Sequence, residues 1–176
     1  LQTKGYDKMK TTTEKTGASF NRATSKQDYA TPDDFIAAVV ARFGPLAFDL
    51  AAHAGNHVTP KYFTKAQDSF AQDWHKIGGL LWLNPEFSNI APWAQKCADE
   101  SSRGAKILFL VPASVGSNWF ANYVLPRSWV QFLNGRLMFK GATDPYPKDC
   151  LLAAYGFGSP GKCETWKWKL SSGVVA

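Results

Sequence analysis

Residues 80–87 read Leu-Leu-Trp-Leu-Asn-Pro-Glu-Phe, an apolar run too short for a helix that stops at Asn-Pro and carries an aromatic ring three positions after the amide. The run predicts a buried strand, and the turn dipeptide puts Asn84 and Phe87 at its end. There a side-chain amide and neighbouring carbonyls are placed to accept hydrogen bonds from an exocyclic amine, and a ring offers a stacking face to a planar base. The same residues also make an ordinary Asn-Pro turn followed by a core phenylalanine. Their surroundings have to decide.

Working outward, strand and helix patterns alternate. Upstream, Thr31-Pro32-Asp33-Asp34 predicts a helix start, with Thr31 as cap, Pro32 at the first helical position and two acids in the first turn. Phe35, Ile36, Val39, Val40 and Phe43 recur at helical spacing until Gly44-Pro45 ends the run. Residues 46–50 predict a short strand that delivers Asp49 into the small, polar segment Ala51-Ala52-His53-Ala54-Gly55-Asn56, as open parallel sheets do where they build a ligand crevice. Downstream come a helix from Ile90 or Ala91 to Ser102, an apolar strand over 106–111 broken by Pro112, and a short helix over 117–124. Strands follow at 129–133, 137–139 and 150–155, and the alternation Trp166, Trp168, Leu170 with lysines suits an edge strand. Residues 141–148 read as a mobile or ligand-gripping loop. The expected fold class is α/β, a mainly parallel sheet with helices on both faces and an antiparallel pair at one edge.

Size and composition set limits on function. At 176 residues, one domain over 26–170 is expected, burying roughly 70% of its extended-chain surface, with a flexible basic arm over 1–25 and a tail over 171–176. With 45% hydrophobic and 19% charged residues, the chain is expected to fold and to be soluble. Apolar runs such as Ile107–Val111 are far too short to span a membrane and no signal-like block opens the chain, so the expected location is cytoplasmic. The odd set Cys97, Cys150 and Cys163 suits a reducing compartment, and His53, His57 and His75 lack the spacing of a metal motif, so no metal is expected.

Charge points to a polyanion. The formal charge is +6 with a pI near 9.2, and from Ser101 through Thr143 there is no Asp or Glu while Arg103, Lys106, Arg127, Arg136 and Lys140 occur. Trp119, Tyr123, Trp129, Phe132 and Phe139 interleave with them, a mixture that suits phosphate attraction with base stacking. Lysines in the N-terminal arm add to it.

Taken in order, several of these segments resemble the small phage-encoded DNA N6-adenine methyltransferases of the phage Dam type. The likeness runs from about Tyr29 to Phe157. It rests on Thr31-Pro32, Phe48-Asp49-Leu50-Ala51-Ala52, Tyr62-Phe63-Thr64 with Asp68 and Trp74, Trp82-Leu83-Asn84-Pro85 with Ser88, Ile90 and Trp93, then Val111-Pro112-Ala113, Trp119-Phe120, and Gly135-Arg136 before Phe139.

The resemblance implies a Rossmann-like fold that uses S-adenosylmethionine (SAM), releases S-adenosylhomocysteine, and methylates the N6 amine of an adenine rotated out of double-stranded DNA. The expected host is an infected or prophage-bearing bacterial cell, with the protein a monomer or weak dimer needing no protein partner. Implied catalytic residues are Asn84, Pro85 and Phe87. Glu86 departs from the family's Asn/Asp-Pro-Pro-Tyr pattern, and Phe87 loses only a hydroxyl. Implied cofactor contacts are Tyr29, Thr31, Pro32, Asp49, Ala51, Phe63 and Asp68. Implied DNA contacts are Arg136 at the Asn134-Gly135 turn, with Lys140, Arg127, Asn118 and Lys148. Related Asn-Pro motifs also serve cytosine N4, RNA adenine or glutamine amides, and Glu86 leaves open an inactive relative that binds DNA or SAM.

Overall fold

The computed structural model describes residues 29–169, and the N-terminal arm, Leu170 and the C-terminal tail lie outside them. The described chain builds one six-stranded sheet. Its strands are β1 (Leu46–Asp49), β2 (Leu80–Leu83), β3 (Lys106–Pro112), β4 (Ser128–Leu133), β5 (Cys150–Tyr155) and β6 (Cys163–Trp166), in the spatial order β1-β2-β3-β5-β4-β6. β1, β2 and β3 run parallel, with Leu81 opposite Ile107 and Trp82 opposite Leu108.

β5 is antiparallel to β3 on one side and to β4 on the other. β4 therefore points the same way as β3, and β6 joins β4 in parallel. This corrects the expected antiparallel edge: the reversed strand lies inside the sheet. All six of its residues are buried, so it belongs where both faces and both edges are covered.

Among the described residues, each face carries one α-helix. On one side, α2 (Ala91–Ser102) presses Ala94, Cys97 and Ala98 onto Leu81, Leu83, Ile107, Phe109 and Val111. On the other, α1 (Asp33–Phe43) sets Phe35, Ala38 and Val39 against Leu80, Trp82, Leu108 and Leu110. The continuous apolar runs of β2 and β3 follow, since successive side chains feed opposite cores. A Cβ on Gly79, just before β2, would lie 2.6 Å from the Ala47 Cβ, so only glycine allows β1 and the turn into β2 to approach this closely.

Three local expectations change. Residues 137–139 are not a strand, although Leu137 and Phe139 are buried around the exposed Met138. β4 already has partners on both sides, so this segment's backbone turns elsewhere: Lys140 N–H donates to Ala30 and Tyr146 N–H to Leu137. The helical segment after Ser117 widens into a π-helical turn over Phe120–Val124, where Tyr155 Oη and Ser128 Oγ donate to the carbonyls of Tyr123 and Val124. Finally, β6 ends at Trp166, so Trp168 packs beyond the strand rather than within it.

No helix among the described residues is long and apolar enough to cross a membrane.

Candidate active site

The carboxyl ends of β1, β2 and β3 share one edge of the sheet, the usual place for a ligand crevice in an open α/β fold. A cavity of about 530 Å³ opens there. The turn after β2 supplies Asn84, Pro85 and Glu86, the turn after β1 supplies Leu50 to His53 with Asn56, and the irregular segment before β2 supplies Phe63 to Ala66 and Asp68 to Phe70. Tyr29 and Trp93 complete it. Its size lies within the usual range for small-molecule sites.

Asn84 is held in one orientation. Its Nδ2 donates to the Tyr29 carbonyl at 2.7 Å and to Thr31 Oγ1 at 3.0 Å. A backbone carbonyl only accepts, so the amide nitrogen must face Tyr29 and both its hydrogens are used. Asn84 Oδ1 is buried and has no hydrogen-bond partner. An orphan acceptor of this kind costs about 1–3 kcal/mol, and a donor from a ligand would remove that cost.

Thr31 thereby takes a different part from the expected helix cap. The N-cap position falls on Pro32, no side chain caps the helix, and the buried Thr31 hydroxyl faces Asn84 instead. Pro32 itself accepts from Ile36 N–H and stays out of the cavity lining. The segment 29–32 is thus a strap across the end of β2 that aims the Asn84 amide.

Of the implied cofactor residues, Tyr29, Ala51, Phe63 and Asp68 line the cavity. Asp49 does not. Its carboxylate accepts from Val58 N–H at 3.1 Å and Ala51 N–H at 3.3 Å, and its backbone pairs with Lys61 and Phe63. Burial raises its pKa to about 6, with the Val58 and Ala51 bonds and nearby His57 pulling the other way. Asp49 ties down the loop that walls the cavity, an arrangement invisible to strand-end pattern reading.

Phe87, the expected stacking ring, lies in an aromatic cluster. Its half-buried ring joins Tyr29 (centroids 5.8 Å apart), Tyr146 (5.6 Å) and Phe139 (6.1 Å), beside the cavity and not in its lining. The loop over 141–148 thus contributes a packed ring. Burial, then Cys150 and Tyr29 nearby, pushes the Tyr146 phenol up to about 12, so it stays neutral.

Glu86, the departure from the family pattern, pairs with Lys65 across the cavity rim. Its negative charge meets a cation of this chain, a partner 21 residues away that no local motif reveals.

The acid-free stretch divides in space. Arg136, Lys140 and Lys148 lie in connections between the carboxyl end of β4 and the start of β5, and Asn118 follows β3, all at the cavity edge of the sheet. Arg127 precedes β4 and therefore lies at the opposite edge, with Arg103 and Lys106. Acids distant in sequence return beside these cations: Asp149 lies 3.7 Å from Arg136, Asp33 2.6 Å from Lys140, and Asp73 3.4 Å from Arg103. At that opposite edge Asp73, His75 and Glu100 converge, but the Lys96 ammonium 3.0 Å from Glu100 already supplies the positive charge.

Several cavity residues escaped sequence reading as contacts, Ser69 and Trp93 among them, whereas Phe70 lies on the irregular segment where ligand contacts are expected. Ser69 Oγ is buried without a partner. An isolated serine and a lone tryptophan carry no spacing signal that could have singled them out.

Fold and site together define an α/β protein with a Rossmann-like plan, a ligand cavity at the carboxyl edge of its sheet, and a fixed amide at that cavity. The family model for DNA N-6-adenine-methyltransferase (Dam) matches residues 19–150, and the chain belongs to this family. A DNA N-6-adenine-methyltransferase of Escherichia phage T1 is 28% identical over 92 residues, covering 52% of this chain and 38% of that protein. The chain therefore matches well under half the length of that relative.

Proposed function

We propose that the protein transfers a methyl group from SAM to the N6 amine of adenine in DNA. The observation that carries this reading is the orphaned Asn84 Oδ1 at the cavity, fixed by a strap that uses both amide hydrogens. Family membership narrows the chemistry, and the acceptor indicates where it would occur.

The residues present suit SAM. The cavity combines the small side chains of Ala51 and Ala52 with the rings of Phe63, Phe70 and Trp93, and holds an unpartnered hydroxyl at Ser69. Small residues permit close approach, rings suit an adenine, and the hydroxyl can donate or accept. The cofactor would supply a methyl group on a positively charged sulfonium, a carbon open to displacement.

Asn84 Oδ1 and the Pro85 carbonyl would take the two N6 hydrogens and turn the nitrogen lone pair away from the ring system. Held so, the amine is positioned for in-line attack; a nitrogen–carbon bond forms, the sulfur–carbon bond breaks, and the nitrogen then loses a proton to water. Positioning and fixed dipoles account for the acceleration. Because Asn84 Oδ1 is buried and Phe87 is packed among Tyr29, Phe139 and Tyr146, a base reaching the amide must part those rings. Extrusion from the duplex costs a few kcal/mol, offset in part by stacking on Phe87. Arg136, Lys140, Lys148 and Asn118, at the same edge, would meet the DNA backbone or groove.

The test is incubation with methyl-labelled SAM and unmethylated duplex DNA, followed by nucleoside identification, for this chain and for Glu86→Pro. N6-methyladenine is the expected product. Label on cytosine N4, on RNA alone, or on neither nucleic acid despite SAM binding would sink the reading. Faster transfer by Glu86→Pro would mark the Lys65–Glu86 pair as a brake, and slower transfer as an adaptation.

A further inference from the structure

The segment between β1 and β2 contains a double turn that bonds chiefly to itself. Thr64 and Gln67 close a capping box around the short helix Lys65–Gln67, and Gln72 Nε2 donates back to the Gln67 carbonyl at 2.8 Å. Between the two turns, Asp68 adopts φ +46°, the only non-glycine residue with positive φ among those described. Its carboxylate accepts from Phe70 N–H at 3.1 Å, which fixes the second turn, Ser69–Ala71. A strained residue held by its own side chain stands here at a cavity wall, where such strain fixes what the next residues present.

What it presents is Ser69 and Phe70. Ser69 is 6% exposed, its carbonyl is taken by Trp74 Nε1 at 2.9 Å, and its hydroxyl has no partner. Phe70 is 41% exposed, with its ring 4.1 Å from that of Trp93. Both rings line the cavity. A hydroxyl without a partner beside an uncovered aromatic pair lacks two things, a hydrogen-bonding group and a flat apolar surface. A nucleoside has both.

We infer that Ser69, Phe70 and Trp93 form the adenosine end of the cavity, the rings receiving the purine face and the Ser69 hydroxyl bonding a polar atom of the nucleoside. This rests on the SAM reading above and deepens it, because it sets the direction of the ligand. The amino-acid end then falls to the turn from Ala51 to Asn56 and to the neighbourhood of Asn84.

The experiment is calorimetric binding of S-adenosylhomocysteine and of 5′-methylthioadenosine, which lacks the amino-acid part, to wild type, Ser69→Ala, Phe70→Ala and Asn56→Ala. Ser69→Ala is expected to weaken both ligands by the same factor of about 3–10, the worth of one neutral hydrogen bond. Phe70→Ala should weaken both about tenfold. Asn56→Ala should weaken S-adenosylhomocysteine only.

Binding should also change Trp93 emission, and Trp93→Phe should remove that change. Free of ligand, Ser69→Ala should melt no lower than wild type, since it deletes an unpaired hydroxyl; a purely structural serine would lower the melting temperature. Both variants binding S-adenosylhomocysteine within twofold of wild type, or losing it while keeping 5′-methylthioadenosine, would overturn the assignment. Failure of wild type to bind S-adenosylhomocysteine at all would overturn the SAM reading itself.

Discussion

Two buried polar groups at opposite ends of the sheet, the Glu100 carboxylate and the Asn84 amide oxygen, are treated in opposite ways. At the amino end of β2, Glu100 is 3% exposed and fully engaged. It accepts from His75 N–H and His75 Nδ1, both at 2.9 Å, and from Lys96 at 3.0 Å. Burial pushes its carboxyl pKa up, but these bonds outweigh burial and hold it below its ordinary value. At the carboxyl end, Asn84 Oδ1 and Ser69 Oγ have no partners, Asp68 is strained, and burial pushes the Asp49 carboxyl up to about 6. Trp129 Nε1 and Gln131 Nε2 on β4 are also unpartnered, so an orphan by itself marks nothing; what sets Asn84 and Ser69 apart is that theirs stand in residues lining a cavity.

Three experiments press on that contrast. Asn84→Ala should have the largest effect, lowering methyl transfer about 10²–10³-fold, the usual worth of one preorganised polar contact to the reacting group. Its denaturation midpoint should stay close to wild type, because the lost bonds to Tyr29 and Thr31 are balanced by removal of an orphan acceptor. A large loss of stability without loss of transfer would erase the distinction between the two ends.

Glu100→Ala is the mirror experiment. It removes the carboxylate that Lys96 and His75 share, leaving Lys96 with the Gln72 carbonyl, and should cost about 2–3 kcal/mol in urea denaturation, while S-adenosylhomocysteine affinity of the folded protein stays within twofold. Altered affinity in the folded variant would show the two ends to be coupled.

The smallest expected effect is the pH dependence carried by Asp49. Its folded pKa of about 6 stands above the ordinary 3.8, so between those values the folded state holds a proton that the unfolded state has released. The stability this confers is fully present below 3.8 and is lost as pH rises through about 6. Asp49→Asn should flatten that part of the stability–pH curve measured by urea denaturation. An unchanged slope would show that the carboxylate is better solvated than its burial implies.

Much of the architecture was legible along the chain because it follows from local pattern. The strand over 80–83, the helix ending at Gly44, the helix over 91–102 and the strand over 150–155 all obey periodicity and turn chemistry. Asn84 was legible for the same reason, an amide at the end of an apolar run. The strand expected at 137–139 was not realised: Leu137 and Phe139 alternate with Met138 as a strand would, but β4, the strand just before it, is already paired by β5 and β6 on its two sides.

The order of residues alone therefore determined, for most segments, which are buried and about where they start and stop, and that an amide stands at the end of β2, because hydrophobic period and turn preference act over a few neighbours. Tertiary structure alone decided that β5 enters the sheet's interior, that Thr31 aims Asn84 instead of capping α1, that Glu86 meets Lys65, and that Ser69 is left without a partner. Each of these depends on which distant groups arrive within about 3 Å of one another, the range over which hydrogen bonds and ion pairs operate, and no local pattern encodes that.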